Sequence, residues 1–249
     1  ALVSSSASYP TGLPTIGNDH ALVVSLFQHF FKTEDSLSTY TDFVDRKWLS
    51  RVLAETKILE GSGDMERWYS MLDDPSYYEA LKERVEIDFA PGRKIHHRVG
   101  DKVSIEVDIK NVSSLLVKVF EINTLNYYRD KNKEVDASIN IDGLVASFET
   151  THEYDETPFR RVRRTFDFPT IDSAGVFIVE FIGNGISSRA VVHKGRMRLI
   201  DEDGPAGHVM RVLDEDGRHL KNAAIRFGGR EYAADEDGSD DDADEEDKA

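Results

Sequence analysis

The chain reads as mainly β with an α-helical N-terminal region: an antiparallel β-sandwich preceded by a helical unit and followed by a partial second β module. Three observations predict this. Apolar residues recur at helical spacing only in roughly the first ninety positions, and from Val103 onward they alternate with polar ones. The tetrapeptide Asp-Glu-Asp-Gly then occurs three times, at Asp201–Gly204, Asp214–Gly217 and Asp235–Gly238, with short apolar runs between. A turn ending in Gly between alternating segments marks a hairpin, because Gly takes the positive φ that other residues resist.

Residues 1–17 are rich in Ser, Pro and Gly and read as a flexible linker. The helical unit, 18–88, opens at Asn18 or Asp19, either of which can cap a helix through its side-chain oxygen. Leu22, Val23, Leu26, Phe27, Phe30 and Phe31 follow at helical spacing. A second helix is expected from about Thr41 to Glu60, buried through Phe43, Val44, Leu49, Val52 and Leu53, with Gly61 as its stop. A short helix around Trp68, Tyr69 and Leu72 follows, and Pro75 suits the first turn of another.

The sandwich is expected over 89–200. Val103, Ile105, Val107 and Ile109 alternate with polar residues, the pattern of a half-buried strand. Leu115–Ile122 is apolar on both faces and predicts an interior strand. Further strands are expected at Ala137–Ile141, Arg160–Phe168, Val176–Ile182 and Arg189–Leu199, separated by Asp142-Gly143, Ser173-Ala174-Gly175 and Gly183-Asn184-Gly185. No helical pattern stands out between them, which argues against a parallel sheet. The partial module, 201–238, holds VMRVL, AAIRF and REYAA, and no returning strand follows the third turn. That open edge suggests a piece of a larger protein. Residues 239–249 read as a disordered acidic tail.

The chain carries no cysteine, which excludes disulfides, thiol nucleophiles and thiolate zinc sites. The stretch 235–249 holds ten acidic residues and one lysine, a net of −9 out of the chain's −16. Such a block is a self-repelling solvated segment first, and a weak calcium site or a lure for a basic partner second. Its acidity argues against nucleic-acid binding. No run is long enough to span a bilayer.

Two resemblances emerge. VKVFEINTLNYYRD, with the preceding DIKNV and the later AGVFIVEFIGNG, resembles strands of macroglobulin-type (α2-macroglobulin-like) β-sandwich domains. GHVMRVLDEDGRHLKNAAIRFGGREYAADEDG resembles the carboxypeptidase-regulatory-like fold, in which a strand, a D-x-x-G turn, a small-residue strand and a D-x-D-G turn succeed one another. The resemblance implies a modular, non-catalytic piece of a long extracellular or cell-surface chain. Macroglobulins that trap proteases covalently need a Cys–Gln thioester, which a cysteine-free chain cannot form.

Candidate chemistry is sparse. His96 and His97 are adjacent, so on a strand they face opposite ways and make a poor metal pair. His152-Glu153-Tyr154-Asp155 lacks helical metal-ligand spacing and reads as a solvated loop. Asn111-Val112-Ser113 matches the glycosylation sequon. No G-x-S-x-G elbow surrounds any serine. The sharpest charged cluster is Arg160, Arg161, Arg163 and Arg164. It suits an edge strand protected by charge, a dibasic processing site, or a patch for an acidic partner. The Asp-rich turns could hold calcium, although turn chemistry explains the same residues. No catalytic residue and no cofactor is expected. The reading is a binding or scaffolding piece acting through an unidentified protein partner. The alternative is the structural region of a large protease or protease inhibitor.

Overall fold

The computed structural model describes residues 19–233 apart from Asp73 and Ala206. The expected linker, the third Asp-Glu-Asp-Gly and the acidic tail lie outside the described residues. Within them the protein is a four-helix unit, a two-sheet antiparallel sandwich and a pair of β-hairpins.

The helices are α1 (His20–Phe31), α2 (Arg46–Glu60), α3 (Met65–Ser70) and α4 (Pro75–Glu83). Helix α2 begins at Arg46 rather than near Thr41. The Asp45 carboxylate accepts the backbone N–H of Trp48 and caps the first turn, and residues 38–44 form turns before it. Gly61, at φ 62°, ends the helix, and the Ser62 N–H donates back to the Lys57 carbonyl. Asp64 and Asp74 cap α3 and α4 in the same way as Asp45. Phe31, Leu49, Leu53, Ile58, Trp68 and Leu81 close a core of their own.

The sandwich holds β1 (Glu86–Phe89), β2 (His96–His97), β3 (Ser104–Lys110), β4 (Ser114–Ile122), β5 (Phe148–Glu153), β6 (Arg161–Asp167), β7 (Gly175–Gly183) and β8 (Ile186–Lys194). One sheet runs β1-β3-β6 and the other β2-β8-β7-β4-β5. Val107, Ile109, Val117, Val119, Phe166, Val179, Phe181 and Val192 fill the space between them. Strand β4 lies inside its sheet, as its two-sided apolar run predicts: Leu115, Val117 and Val119 face the sandwich core. Phe120 and Ile122 face outward into a second core with Ile178, Val191, Val135, Ile139 and Ile141.

That outer core corrects three expectations. Ala137–Ile141 is not a strand: Asp136 accepts from the Ser138 backbone and hydroxyl, Asn140 accepts from the Asp142 N–H, and the segment turns across the sheet's outer face. A helix does interrupt the strands, α5 (Thr124–Lys131), capped by Asn123 onto the Asn126 N–H. Residues 148–153, including His152, form the edge strand β5 rather than a loop. The sheet also contains a two-residue parallel pairing of β2 with β8.

The expected strand Arg189–Leu199 is two strands, because Gly195 at φ 81° breaks it. After it come β9 (Arg198–Gly204), β10 (Gly207–Leu213), β11 (Ala224–Phe227) and β12 (Arg230–Ala233), as hairpins β9–β10 and β11–β12. Asp214–Gly217 is a turn, with the Asp214 carboxylate accepting from the backbones of Asp216 and Arg218. Asp201–Gly204 instead completes strand β9, and the turn falls one step later.

Candidate protein-binding surface

The four arginines converge where the helical unit meets the sandwich. Strand β6 pairs with β3 along its whole length on one side and forms the edge of its sheet on the other. Alternation sends its arginines both ways. Arg161 pairs with Glu86, which is buried, and Arg84 joins the same carboxylate and reaches Glu55 of α2 at 2.8 Å. The Tyr77 hydroxyl donates to Glu55 as well. Arg163 forks onto Asp108 with two contacts of 2.8 Å, and those hydrogen bonds hold the Asp108 carboxyl below its ordinary range. Arg164 pairs with Glu156 and lies 3.8 Å from the centre of the Tyr154 ring. Arg160 packs over Gly61, where a β-carbon would collide with its guanidinium.

Around this joint Phe159 packs against both Tyr69 and Tyr78, with ring centres 5.6 and 4.9 Å away, and the two tyrosines meet edge-on at 5.2 Å. Asn111, the sequon residue, donates its side-chain amide to the carbonyls of Lys82 and Glu83. Lys110 is 1% exposed and donates to the carbonyls of Leu81 and Arg84, both at 2.6 Å. It thus caps the C-terminal end of α4, where the helix dipole favours a cation, from within the sandwich. Burial opposes that charge and pushes its pKa down to about 8.

Of the histidine pair, His96 faces solvent and His97 is buried on the opposite face. Burial lowers the pKa of His97, whose Nε2 lies 3.2 Å from the Lys94 carbonyl. His152 lies edge-on to Phe166 at 5.3 Å and serves packing.

An exposed apolar surface lies on α1. Its twelve residues, HALVVSLFQHFF, contain no Asp, Glu, Lys or Arg. Phe31 is buried, and Phe27 packs edge-on against Tyr40 and Trp48 at 5.3 and 5.5 Å. Leu22, Leu26 and Phe30 lie one turn apart on another line of the helix and are 71%, 51% and 36% exposed. Phe43, expected in a core, is 84% exposed. An uncharged apolar helix is the sequence signal for this surface, but spacing alone could not tell which line the core would cover.

The hairpins carry the remaining chemistry. Met210, Val212, Ile225, Phe227 and Tyr232 line a groove of about 410 Å³ between β9–β10 and β11–β12. On the same hairpin His208 Nδ1 lies 2.8 Å from Asp203 Oδ1 and 3.2 Å from Asp201 Oδ1. One ligand atom from each of these three residues lies within 4.8 Å of the others, which makes them the candidate metal-holding group among the described residues.

The architecture is thus a helical unit joined through a charged strand to an immunoglobulin-like antiparallel sandwich. Residues 2–85 match the family described as Actin-binding protein F N-terminal domain, and residues 115–195 match the AbpF first immunoglobulin-like domain. The chain is 39% identical over 223 residues to Actin-binding protein F of Dictyostelium discoideum; the match covers 89% of this chain and 9% of that protein. This chain therefore spans about a tenth of that relative. Among solved structures, native alpha-2-macroglobulin from Escherichia coli, spanning domains MG0-NIE-MG1, aligns at 9% identity with a TM-score of 0.40, covering 61% of this chain and 55% of that one.

Proposed function

We propose that this chain is a non-catalytic actin-binding piece of a longer multidomain protein, and that the exposed stripe on α1 contacts actin. The observation that carries the reading is the match of residues 2–85 to the N-terminal domain of a protein named for binding actin. The stripe supports the choice of surface. Leu22, Leu26 and Phe30 form an exposed apolar line on α1, and Phe43 adds an exposed ring in the turns that follow; a line of such residues on one helix suits a groove in a protein partner. The sandwich then serves as the first module of a spacer, with the hairpins as the start of a further, carboxypeptidase-regulatory-like module.

Co-sedimentation with filamentous actin tests the reading. The chain is expected to pellet with filaments, and Leu22→Ser/Leu26→Ser/Phe43→Ser to remain in the supernatant at an unchanged melting temperature, since all three side chains are exposed. Failure of the unaltered chain to pellet refutes the function. Pelleting by the triple variant refutes the surface.

A further inference from the structure

We infer that Asp201, Asp203 and His208 form a binding site for a borderline divalent cation of the zinc type. The inference stands independently of actin binding. Strand period and register assemble the site. Asp201 and Asp203 are two residues apart on β9 and so share a face. His208 of β10 stands directly opposite Asp203 in the ladder, which places all three side chains on one face of one hairpin. Donors carried on a paired ladder are held in place better than donors on a turn.

The electrostatic count leaves the group able to accept a cation. Asp203 and Asp201 both aim an oxygen at the same ring nitrogen, at 2.8 and 3.2 Å. That nitrogen carries at most one hydrogen and can satisfy one carboxylate at a time. Even with a charged imidazole the group keeps one net negative charge. A zinc ion about 2.0–2.2 Å from each donor would set the donors roughly 3.3–3.6 Å apart, so the 2.8 Å ion-pair contact would open by about half an ångström as the metal replaces the Nδ1 proton.

The donor set also selects the metal. Calcium takes six to eight oxygens, whereas two carboxylates and one imidazole suit zinc and its neighbours. Three protein donors leave a coordination position for water or for a group from another molecule. The calcium expectation for the Asp-rich repeats thus gives way, at the first of them, to a nitrogen-containing site built across strands.

Calorimetric titration of the whole chain with zinc chloride, and separately with calcium chloride, tests this. The acidic stretch 235–249 will contribute weak binding, so His208→Gln and Asp203→Asn serve as the comparison. Both side chains are exposed, and both variants are expected to melt with the unaltered chain. One equivalent of zinc is expected to bind at least tenfold more weakly in either variant, with calcium binding unchanged by both. Zinc should also shift the His208 ring resonances in the unaltered chain. Equal zinc affinity in the variants, or calcium as tight as zinc at this step, overturns the site.

Discussion

Lys110 shows how one side chain can join two folding units and set a pH dependence. It belongs to β3, is sealed from solvent, and gives its hydrogens to two carbonyls at the end of α4. Its folded pKa is about 8, against 10.5 for an ordinary lysine. Between those values the unfolded chain holds a proton that the folded chain has released, so stability rises with pH across that window. Tyr77 acts oppositely. Burial, with the Glu55 carboxylate beside it, pushes its pKa well above 10. Above pH 10 the unfolded chain therefore loses a proton that the folded chain keeps, and stability falls. Urea unfolding midpoints are expected to climb from pH 8 toward 10 and then decline. Lys110→Met should flatten the climb while leaving the decline; an identical climb in that variant would assign the slope to other groups.

At the scale of elements, β3 was legible from its alternation, the mark of a sheet with one face in a core, and β4 and β7 from near-continuous apolar runs that bury both faces. The alternation rule failed at 137–141. Ile139 and Ile141 alternate with polar residues and are buried, yet they cover the outer face of a sheet rather than pair within it. Local pattern reports burial and cannot name the surface that does the burying. Helix α5 was missed for a related reason: its eight residues contain none that is buried, so its signal is the Asn123 cap alone. The arginine run could be placed in a strand, but its partners Glu86, Asp108 and Glu156 stand far along the chain or on other elements, and only folding brings them together. The same pairing bears on cleavage after Arg164. A furin-type protease needs an extended, unpaired segment, while Arg161–Asp167 is hydrogen-bonded to β3 throughout. Gel analysis should show no cut at Arg164 in the native chain, and a cut there once urea has opened the fold and the chain is diluted into protease. Cleavage of the native chain would mean that β6 detaches from its edge.

Across the whole molecule, three buried clusters hold the helices and the sandwich, and none includes a residue of β9–β12. The hairpins meet the sandwich through ion pairs instead: Arg98 with Asp216 at 2.5 Å, and Arg129 with Glu231 at 2.5 Å. The Glu215 carboxylate also accepts the Val99 N–H at 3.1 Å. Pairs exposed to this degree contribute about 0–1 kcal/mol each and weaken with salt. The exposed faces of β11 and β12 bury little apolar area, so their backbone bonds have little to protect them from opening. Hydrogen exchange is therefore expected to divide the chain. Amides of β4 and β7 should exchange only on global unfolding, while those of β9–β12 exchange through local openings that half-molar salt makes more frequent. If the hairpin amides were as protected as those of β4, the module would be part of the cooperative unit and its ion pairs would be stronger than exposed pairs allow. Zinc adds a second arm to the same experiment. A cation held by Asp201, Asp203 and His208 ties β9 to β10, so it should slow exchange in that hairpin alone and leave β11–β12 unchanged.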